Sequence, residues 1–395
     1  MTALLDSRRA AAPAHHVAGG PRIIAGPGAV AAVPDVVAEI LGSAAAETAI
    51  LAVFGTGSTG APWRARMIAR LRSHVRDVHE HTPGGATPER IAAVVEAVRE
   101  SGARLIVAAG GGSVMDAAKA ASARLERDGA GGIGVVAVPT TPGSGAEVTP
   151  FATVWDAEAG RKRSEGGPGA LPVCAVVDPE LTMSLPPGEL ATSVLDTIVQ
   201  GAEAAWSTGS TPESIALGLS AVALAADNLE HALRRPRQIG RRVALSLAGL
   251  YGGQAIGLAH TGACHALSYP LTLRYGLRHG HACALSIGAL LAFNADVSAA
   301  DCADRRGPDH VRRVIGRIVA ALGATTPAEA AARIDRLRAL GRLASYSESG
   351  IDTPLLVREA LTYDRLGNNP RRLDGAALER LLTTLEAPVN EDAQC

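Results

Sequence analysis

The chain has 395 residues and a net charge of −1, from 38 basic and 39 acidic side chains. It lacks the basic excess that would hold nucleic acid or an anionic membrane, and its 47% apolar content excludes a disordered or fibrous protein. No run of 18 apolar residues escapes interruption by charge or glycine, so we expect neither a membrane span nor a membrane partner. The length predicts two domains. Residues 1–20 are expected to form a loose tail, because no apolar stretch follows Arg8-Arg9 as in a signal peptide.

The cysteine content indicates the cellular compartment, and the lysine content singles out two positions. The five cysteines show no CxxC spacing, which argues against a disulfide framework or a thiolate zinc site and indicates a reducing cytoplasm. Only two of the 38 basic residues are lysines, Lys119 and Lys162. Because arginine is used almost everywhere else, a position that keeps lysine is informative.

Short apolar runs alternate with helical patterns in the first half of the chain. The predicted strands and helices, in order, are strand 49–54, helix 63–71, helix 88–100, strand 104–109, helix 114–125, strand 135–139 and strand 173–177. This alternation predicts an α/β domain with a parallel sheet over residues 21–187. The polar, glycine-rich segment 157–169 is interpreted as a β-hairpin or an exposed loop.

Only helical patterns follow, which predicts an all-helical domain over residues 188–395. The predicted helices are 188–206, 212–233, 238–258, 282–294, 310–322 and 327–343.

Two glycine-rich stretches are candidates for nucleotide binding. Gly110-Gly111-Gly112-Ser113 follows a strand and opens a helix, where backbone N–H groups and the helix dipole favour a pyrophosphate. The stretch lacks GxGxxG spacing, so on its own it is also compatible with a simple turn. The hydroxyl-rich run 139–149 also follows a strand; it is either a solvated loop or a second wall of the same site.

A third candidate site consists of metal-ligand residue types. His260, His265, His279 and His281 lie in one short segment. Asp196 and Gln200 are four residues apart on a predicted helix, so their side chains share one face. Carboxylate and imidazole donors suit iron(II) or zinc. The alternatives are a histidine pair acting as a catalytic base, or ordinary core and surface histidines.

Taken together, these stretches resemble the iron-containing (group III) alcohol dehydrogenases. The resemblance is carried by residues 110–119, 139–149, 177–181 and 265–281 and extends from about Gly26 to the last helix. A narrower similarity, in residues 149–156, 265–272, 279–282 and 368–371, is to the phosphonoacetaldehyde reductase branch, which serves phosphonate natural-product pathways. The resemblance implies a dinucleotide-binding α/β domain, an all-α domain and an active site in the cleft between them.

The resemblance also implies roles for individual residues. The implied metal ligands are Asp196, Gln200, His265 and His279. Gln200 departs from the family, which usually has histidine there, and Tyr269 stands where many relatives have a second histidine. The residues expected to bind the cofactor are Gly55, Gly110, Gly111, Gly112, Ser113, Asp116, Thr140, Thr141, Ser144 and Lys162.

The reaction adds two further sets of candidates. Tyr269, His281 or the cofactor ribose would deliver the proton, with Lys162 as a further catalytic candidate. Arg274, Arg278 and Arg371 are the candidates for binding a phosphonate, with Arg274 favoured because it lies between the two metal histidines. The alternative is that they are solvated surface residues, as arginines in so arginine-rich a chain usually are. No carboxylate follows the first strand within residues 54–58, so NADPH should be admitted, with NADH not excluded.

The expected function is NAD(P)H-dependent, metal-assisted reduction of phosphonoacetaldehyde to 2-hydroxyethylphosphonate by a cytoplasmic homodimer. Three other functions stay open. The first is another reductase of the superfamily, acting on maleylacetate, a glycol aldehyde or a simple alcohol. The second is a dehydroquinate synthase-like lyase, which shares the architecture, and the third is a nucleotide-binding module without catalysis.

Overall fold

The computed structural model describes residues 19–386, apart from 59, 60, 83, 84, 130 and 157. The predicted tail, 1–20, therefore lies almost entirely outside the described residues. The chain forms two compact units, here called the α/β unit and the helical unit. The α/β unit comprises the chain up to Thr141, Ala146–Asp156 and Lys162–Met183, and the helical unit comprises Pro142–Gly145, Ala157–Arg161 and the chain from Ser184.

A parallel sheet organises the α/β unit, as the sequence predicted; the sequence identified four of its six strands and did not predict their order. The elements are β1 (Arg22–Ala25), α1 (Val33–Leu41), β2 (Ala49–Phe54), α2 (Pro62–Leu71), β3 (Asp77–His81), α3 (Pro88–Ser101), β4 (Ala103–Gly110), α4 (Gly112–Arg127), β5 (Gly134–Pro139), β6 (Phe151–Asp156), β7 (Arg161–Gly166) and β8 (Cys174–Val177). The strand order in the sheet is β1-β8-β5-β4-β2-β3. Strands β6 and β7 pair separately, so the polar segment predicted as a hairpin or loop contributes a strand.

Both faces of this sheet are buried. Leu51 and Val53 of β2 join one apolar cluster, whereas Ile50, Ala52 and Phe54 join a second cluster on the opposite face. Burial on both faces explains why the central strands appear in the sequence as continuous apolar runs. The sequence did not predict β3, because this edge strand has the polar sequence DVHEH and, among the described residues, pairs with β2 alone.

One segment, Ala29–Glu47, is by length and composition apolar enough to cross a membrane. In the structure it is divided into a 3-10 turn, helix α1 and a second 3-10 turn. Val33, Val36 and Val37 of α1 belong to the same apolar cluster as alternate residues of β2. The segment is therefore a core helix of the α/β unit.

The helical unit consists of nine α-helices in the part of the chain that the structure describes. They are α5 (Pro187–Trp206), α6 (Pro212–Arg234), α7 (Ile239–Ala259), α8 (Ala263–Tyr275), α9 (His279–Ala295), α10 (Pro308–Ala321), α11 (Pro327–Leu340), α12 (Thr353–Ala360) and α13 (Gly375–Thr383). Helix α8 was not predicted, because Pro270 interrupts it and its buried residues leave little amphipathic pattern.

Helix α5 is the central helix of this unit, and every residue from Val194 to Trp206 is buried. Helix α9 approaches it closely at Gly280, where an added Cβ would lie 2.1 Å from the Thr192 carbonyl oxygen and 2.7 Å from Asp196 Cβ. Only glycine permits this separation. The preceding residue, His279, is thereby placed beside the buried face of α5.

We expect Gly280→Ala to lower the free energy of unfolding by about 1–3 kcal/mol, because the added methyl group forces α9 away from α5. The matched control is Gly316→Ala within α10, where an added Cβ would meet nothing within 4 Å. That change should be neutral or stabilise by up to about 1 kcal/mol, since alanine is the better helix former. Chemical denaturation measures both variants, and equal stabilities would contradict the close packing.

Candidate active site

Three polar side chains lie on one buried face of α5. Asp196, Gln200 and Glu203 are spaced by four and then three residues, which aligns them along the helix. Their exposed fractions are 6%, 3% and 0%. Because burying a carboxylate is costly, Asp196 and Glu203 each require a group or an ion that compensates the negative charge.

Glu203 finds its partners in the segment that precedes and opens α8. Its carboxylate accepts hydrogen bonds from the backbone N–H groups of Gly262 (2.9 Å) and Cys264 (2.6 Å) and from His265 Nδ1 (2.6 Å). Burial alone would raise the pKa of Glu203, but the imidazole and the two N–H groups outweigh it and hold that pKa below its usual value. The carboxylate therefore orients the His265 ring.

The same hydrogen bond determines the tautomer of His265. Since Nδ1–H donates to Glu203, a neutral His265 ring has its lone pair on Nε2, which lies 3.4 Å from Asp196 Oδ1. A carboxylate that orients an imidazole in this way is the usual support of a metal-binding histidine.

His279 is oriented in a similar way at the start of α9. Its Nδ1 lies 3.2 Å from the Ser268 hydroxyl, whose own hydrogen is donated to the His265 carbonyl oxygen. The imidazole must therefore donate from Nδ1, which leaves the lone pair on Nε2. That nitrogen lies 3.9 Å from Asp196 Oδ1.

These donors fit a divalent cation. Asp196 Oδ1 is buried without a hydrogen-bond partner among the described residues, although the Nε2 atoms of two imidazoles lie beside it. Cys283 Sγ lies 3.8 Å from His279 Nε2, and the donor atoms of all four side chains lie within 4.8 Å of one another. Ligands bound to zinc at about 2.0–2.3 Å in a tetrahedron are separated by roughly 3.3–3.8 Å. The residues present therefore suit an ion such as iron(II) or zinc.

Gln200, the ligand implied by the family resemblance, has a less clear position. Its Nε2 donates to the Ser144 carbonyl oxygen at 3.3 Å, and its Oε1 is buried without a partner in the described part of the chain. A Cβ added at Gly252 would lie 3.4 Å from that oxygen, so Oε1 is close to the backbone of α7. Its role as a ligand stays a prediction.

Sequence analysis missed Glu203 and Cys283. Glu203 follows Asp196 by seven residues and Cys283 follows His279 by four, so helix periodicity could have identified both. The predicted helix began at residue 282, three residues later than α9, which separated Cys283 from His279. The missing CxxC spacing had also argued against any thiolate donor, but a mixed ligand set does not need that spacing.

Of the four clustered histidines, only His265 and His279 join this site. His281 Nε2–H donates to the Ala344 carbonyl oxygen at 2.7 Å, and burial lowers the pKa of its imidazole. His260 is exposed at the end of α7, with a positive φ of 59°. The predicted catalytic role of His281 would require it to leave its carbonyl partner.

Tyr269 lies directly beside the site. Its ring stacks on His279 with 6.3 Å between centroids. Burial raises the pKa of Tyr269, so its phenol stays protonated at neutral pH and can act as a proton donor.

The three arginines predicted to bind substrate each have a carboxylate partner. The pairs are Arg274–Glu359, Arg278–Glu189 and Arg371–Asp301. Arg274 and Arg278 are also about half exposed. Binding an anion would require each guanidinium to exchange its present partner, and their role in substrate binding stays a prediction.

In the α/β unit, the predicted nucleotide-binding glycines meet at one edge of the sheet. Gly55 follows β2 and donates its N–H to Ala109 at the end of β4, and Thr140 donates to Gly110. After β2 the chain continues to β3 on one side of the sheet, and after β4 it continues to β5 on the other side. The carboxyl ends of β2 and β4 therefore form a topological switch point, here called the switch-point edge.

The first turn of α4 is open to a ligand at this edge. Gly111 precedes the helix, and no side chain in the described part of the chain caps its N-terminus. Thr141 lies close by, because a Cβ added at Gly111 would be 3.6 Å from its hydroxyl oxygen. The free N–H groups and the helix dipole suit a phosphate. Gly112 and Ser113 belong to the same turn.

The two lysines of the α/β unit occupy defined environments. Lys119 is fully buried and donates to the Ala146 carbonyl oxygen (2.8 Å) and Thr149 Oγ1 (2.9 Å), and desolvation lowers its pKa to about 8. Burial raises the pKa of Asp116, whose carboxylate lies 3.7 Å from Lys119. Lys162 is buried, with its ammonium 4.6 Å from the centre of the Trp155 ring. The cofactor roles of Asp116 and Lys162 stay predictions.

Two family sequence profiles match the chain. "Iron-containing alcohol dehydrogenase" matches residues 20–179, and "Fe-containing alcohol dehydrogenase family, C-terminal" matches residues 190–385. The chain belongs to the iron-containing alcohol dehydrogenase family. The resemblance stated from the sequence is thus confirmed, and the protein is an enzyme of this family.

Individual relatives place the chain within the family. It is 47% identical over 349 residues to the phosphonoacetaldehyde reductase of Streptomyces viridochromogenes, covering 84% of this chain and 88% of the relative. It is 29% identical over 305 residues to the sulfoacetaldehyde reductase of Bilophila wadsworthia, covering 72% and 77%. The crystal structure of a sulfoacetaldehyde reductase from Bifidobacterium kashiwanohense in complex with NAD+ is 26% identical, with a TM-score of 0.81 and coverage of 92% and 96%.

We predict that Glu203→Gln weakens binding of a divalent metal by about 10- to 100-fold, because the amide no longer orients His265 as a carboxylate does. Titration of metal-free protein with zinc measures the affinity directly. Glu213→Gln, an exposed change in the first turn of α6, is the control and should bind zinc as the unchanged protein does. Equal affinities for the two variants would contradict the supporting role of Glu203.

Cobalt substitution tests the fourth metal donor. If Cys283 binds the ion, the cobalt(II) protein should show a thiolate-to-cobalt charge-transfer band that Cys283→Ser removes. Gln200→Ala should leave this band in place. If Gln200 is the fourth donor instead, the band should be absent from the unchanged protein and Gln200→Ala should alter the visible cobalt spectrum.

Proposed function

We propose that this enzyme reduces phosphonoacetaldehyde to 2-hydroxyethylphosphonate with a nicotinamide cofactor and a divalent metal, as a cytoplasmic homodimer. The similarity to the Streptomyces phosphonoacetaldehyde reductase, across most of both chains, is the observation that carries the substrate. The cluster of Asp196, His265 and His279 supports metal-assisted chemistry.

Aldehyde reduction requires a hydride donor and stabilisation of the negative charge that develops on the carbonyl oxygen. A divalent ion held by Asp196, His265 and His279 would supply that stabilisation as a Lewis acid. The nicotinamide would supply the hydride. Glu203 and Ser268 hold the two imidazoles with their Nε2 atoms toward Asp196. Tyr269, protonated and stacked on His279, is the proposed donor of the proton to the alkoxide.

The switch-point edge of the α/β unit is the proposed pyrophosphate site. The open N-terminus of α4 offers the N–H groups of Gly112 and Ser113, and Gly55, Thr140 and Thr141 border it. Residues 55–58 contain no carboxylate, so the 2′-phosphate of NADPH would meet no like charge there. NADPH is therefore the proposed cofactor, with NADH as the alternative; the solved relative carries NAD+.

We expect enzyme purified without chelator to contain iron or zinc and to oxidise NADPH when phosphonoacetaldehyde is added. Chelation should abolish turnover, and iron(II) or zinc should restore it. Assays with NADPH and NADH, and with sulfoacetaldehyde, maleylacetate and propanal, test the choice of cofactor and substrate. Full activity in metal-free enzyme would contradict the proposed chemistry. Better turnover of another aldehyde would assign a rival branch, and no net nicotinamide oxidation would favour a lyase.

A further inference from the structure

A phosphonate substrate requires a cationic partner close to the metal ligands. In phosphonoacetaldehyde a single methylene separates the carbonyl carbon from the phosphorus, so the anion and the reacting carbonyl must be bound side by side. An anionic group removed from water needs charged hydrogen-bond donors. The three arginines predicted from the sequence already pair with carboxylates, so an available cation must be another residue.

Arg365 is different from those three arginines. It lies in the 3-10 turn Asp364–Asn368 and is partly buried. Its guanidinium donates to the Thr261 hydroxyl. Among the described residues, no carboxylate lies within 4.0 Å of that guanidinium, so its charge is not neutralised by an ion pair.

The surroundings of Arg365 connect it to the metal cluster. Its guanidinium lies 5.9 Å from the centre of the Tyr269 ring, and that ring stacks on His279. Tyr363 packs against Tyr269 with 4.8 Å between centroids. Arg365 and a metal-ligand imidazole therefore share one aromatic neighbour.

The turn that carries Arg365 is also fixed to the backbone that supports His265. Asn368 Nδ2 donates to the Thr261 carbonyl oxygen at 2.7 Å, so both ends of the turn bind Thr261. The next residue, Gly262, donates to Glu203, which orients His265. Because one short segment joins the arginine to the imidazole support, the cation has a defined position relative to the metal ligands.

We propose that Arg365 binds the phosphonate group of the substrate and so determines the preference for an anionic aldehyde; this inference rests on the proposed function. A guanidinium presents two parallel N–H donors that match two phosphonate oxygens. The Tyr269 ring contacts both Arg365 and His279, so the proposed anion site and the proposed metal site share this neighbour. Among the described residues, no ion pair of Arg365 has to be broken for the substrate to bind.

The test compares two variants of Arg365 with unchanged enzyme on two aldehydes. Arg365→Gln should lower kcat/KM for phosphonoacetaldehyde by about 10- to 150-fold, the loss expected for one charged hydrogen bond, with a much smaller loss for uncharged propanal. Arg365→Lys keeps the charge without the paired donors, so it should recover part of the activity toward phosphonoacetaldehyde. Arg358→Gln, at an exposed arginine of α12, is the matched control and should leave both activities unchanged.

Inhibition gives a second readout that does not depend on the phosphonate being a substrate. Ethylphosphonate should inhibit propanal reduction by unchanged enzyme, and Arg365→Gln should raise its inhibition constant by a similar factor. If the unchanged enzyme reduces propanal but not phosphonoacetaldehyde, the proposed function fails, and loss of this inhibition in the variant would still support an anion site at Arg365.

Three results would overturn the proposal. Equal losses on both aldehydes in Arg365→Gln would mean that the residue is structural. A selective loss of phosphonoacetaldehyde reduction in Arg274→Ala, with Arg365→Gln unaffected, would move the anion site to the arginine predicted from the sequence. Absence of ethylphosphonate inhibition in the unchanged enzyme, together with no effect of Arg365→Gln on phosphonoacetaldehyde, would exclude an anion site there.

Discussion

The polar site of the helical unit depends on how the negative charge of Asp196, a buried carboxylate on α5, is balanced. Asp196 Oδ1 has no hydrogen-bond partner among the described residues and faces the Nε2 atoms of His265 and His279. An isolated buried charge costs several kcal/mol. A cation satisfies all three donors together. Metal binding and the stability of this unit are therefore expected to be linked.

The remaining features of the site hold these donors in place. Gly280 allows α9 to approach α5, Glu203 orients one imidazole and Ser268 orients the other. None of these three residues needs to touch the substrate. The α/β unit works differently, because the open N-terminus of α4 binds through backbone N–H groups, which any small residue can provide.

The helical unit uses oriented side chains and the α/β unit uses backbone groups, and this contrast determined which features the sequence could predict. The continuous apolar runs of β2, β4 and β5 predicted a parallel sheet, because both faces are buried, whereas the polar edge strand β3 carried no such signal. The glycine triplet became informative through its position between a strand and a helix. Asp196 was identified by its helical spacing and the family resemblance. Glu203 lies on the same face of α5 as Asp196, and Cys283 lies one turn after His279, so only their helical spacing, and no motif, pointed to them.

The sequence could not predict which charged side chains pair when they lie far apart along the chain. Arg274 and Glu359 are 85 residues apart, and nothing in either local pattern indicates that they meet. Because almost every basic residue of this chain is an arginine, the presence of an arginine says little about function. The group that its guanidinium contacts says more. The guanidinium of Arg274 pairs with a carboxylate, which neutralises its charge. The guanidinium of Arg365 instead contacts a hydroxyl and an aromatic ring, and no carboxylate among the described residues neutralises it. Its turn is held to the segment that supports His265, so the uncompensated cation and the uncompensated carboxylate oxygen of Asp196 belong to one framework. The first suits a substrate anion and the second a metal cation, which is the pairing of charges that an anionic aldehyde requires.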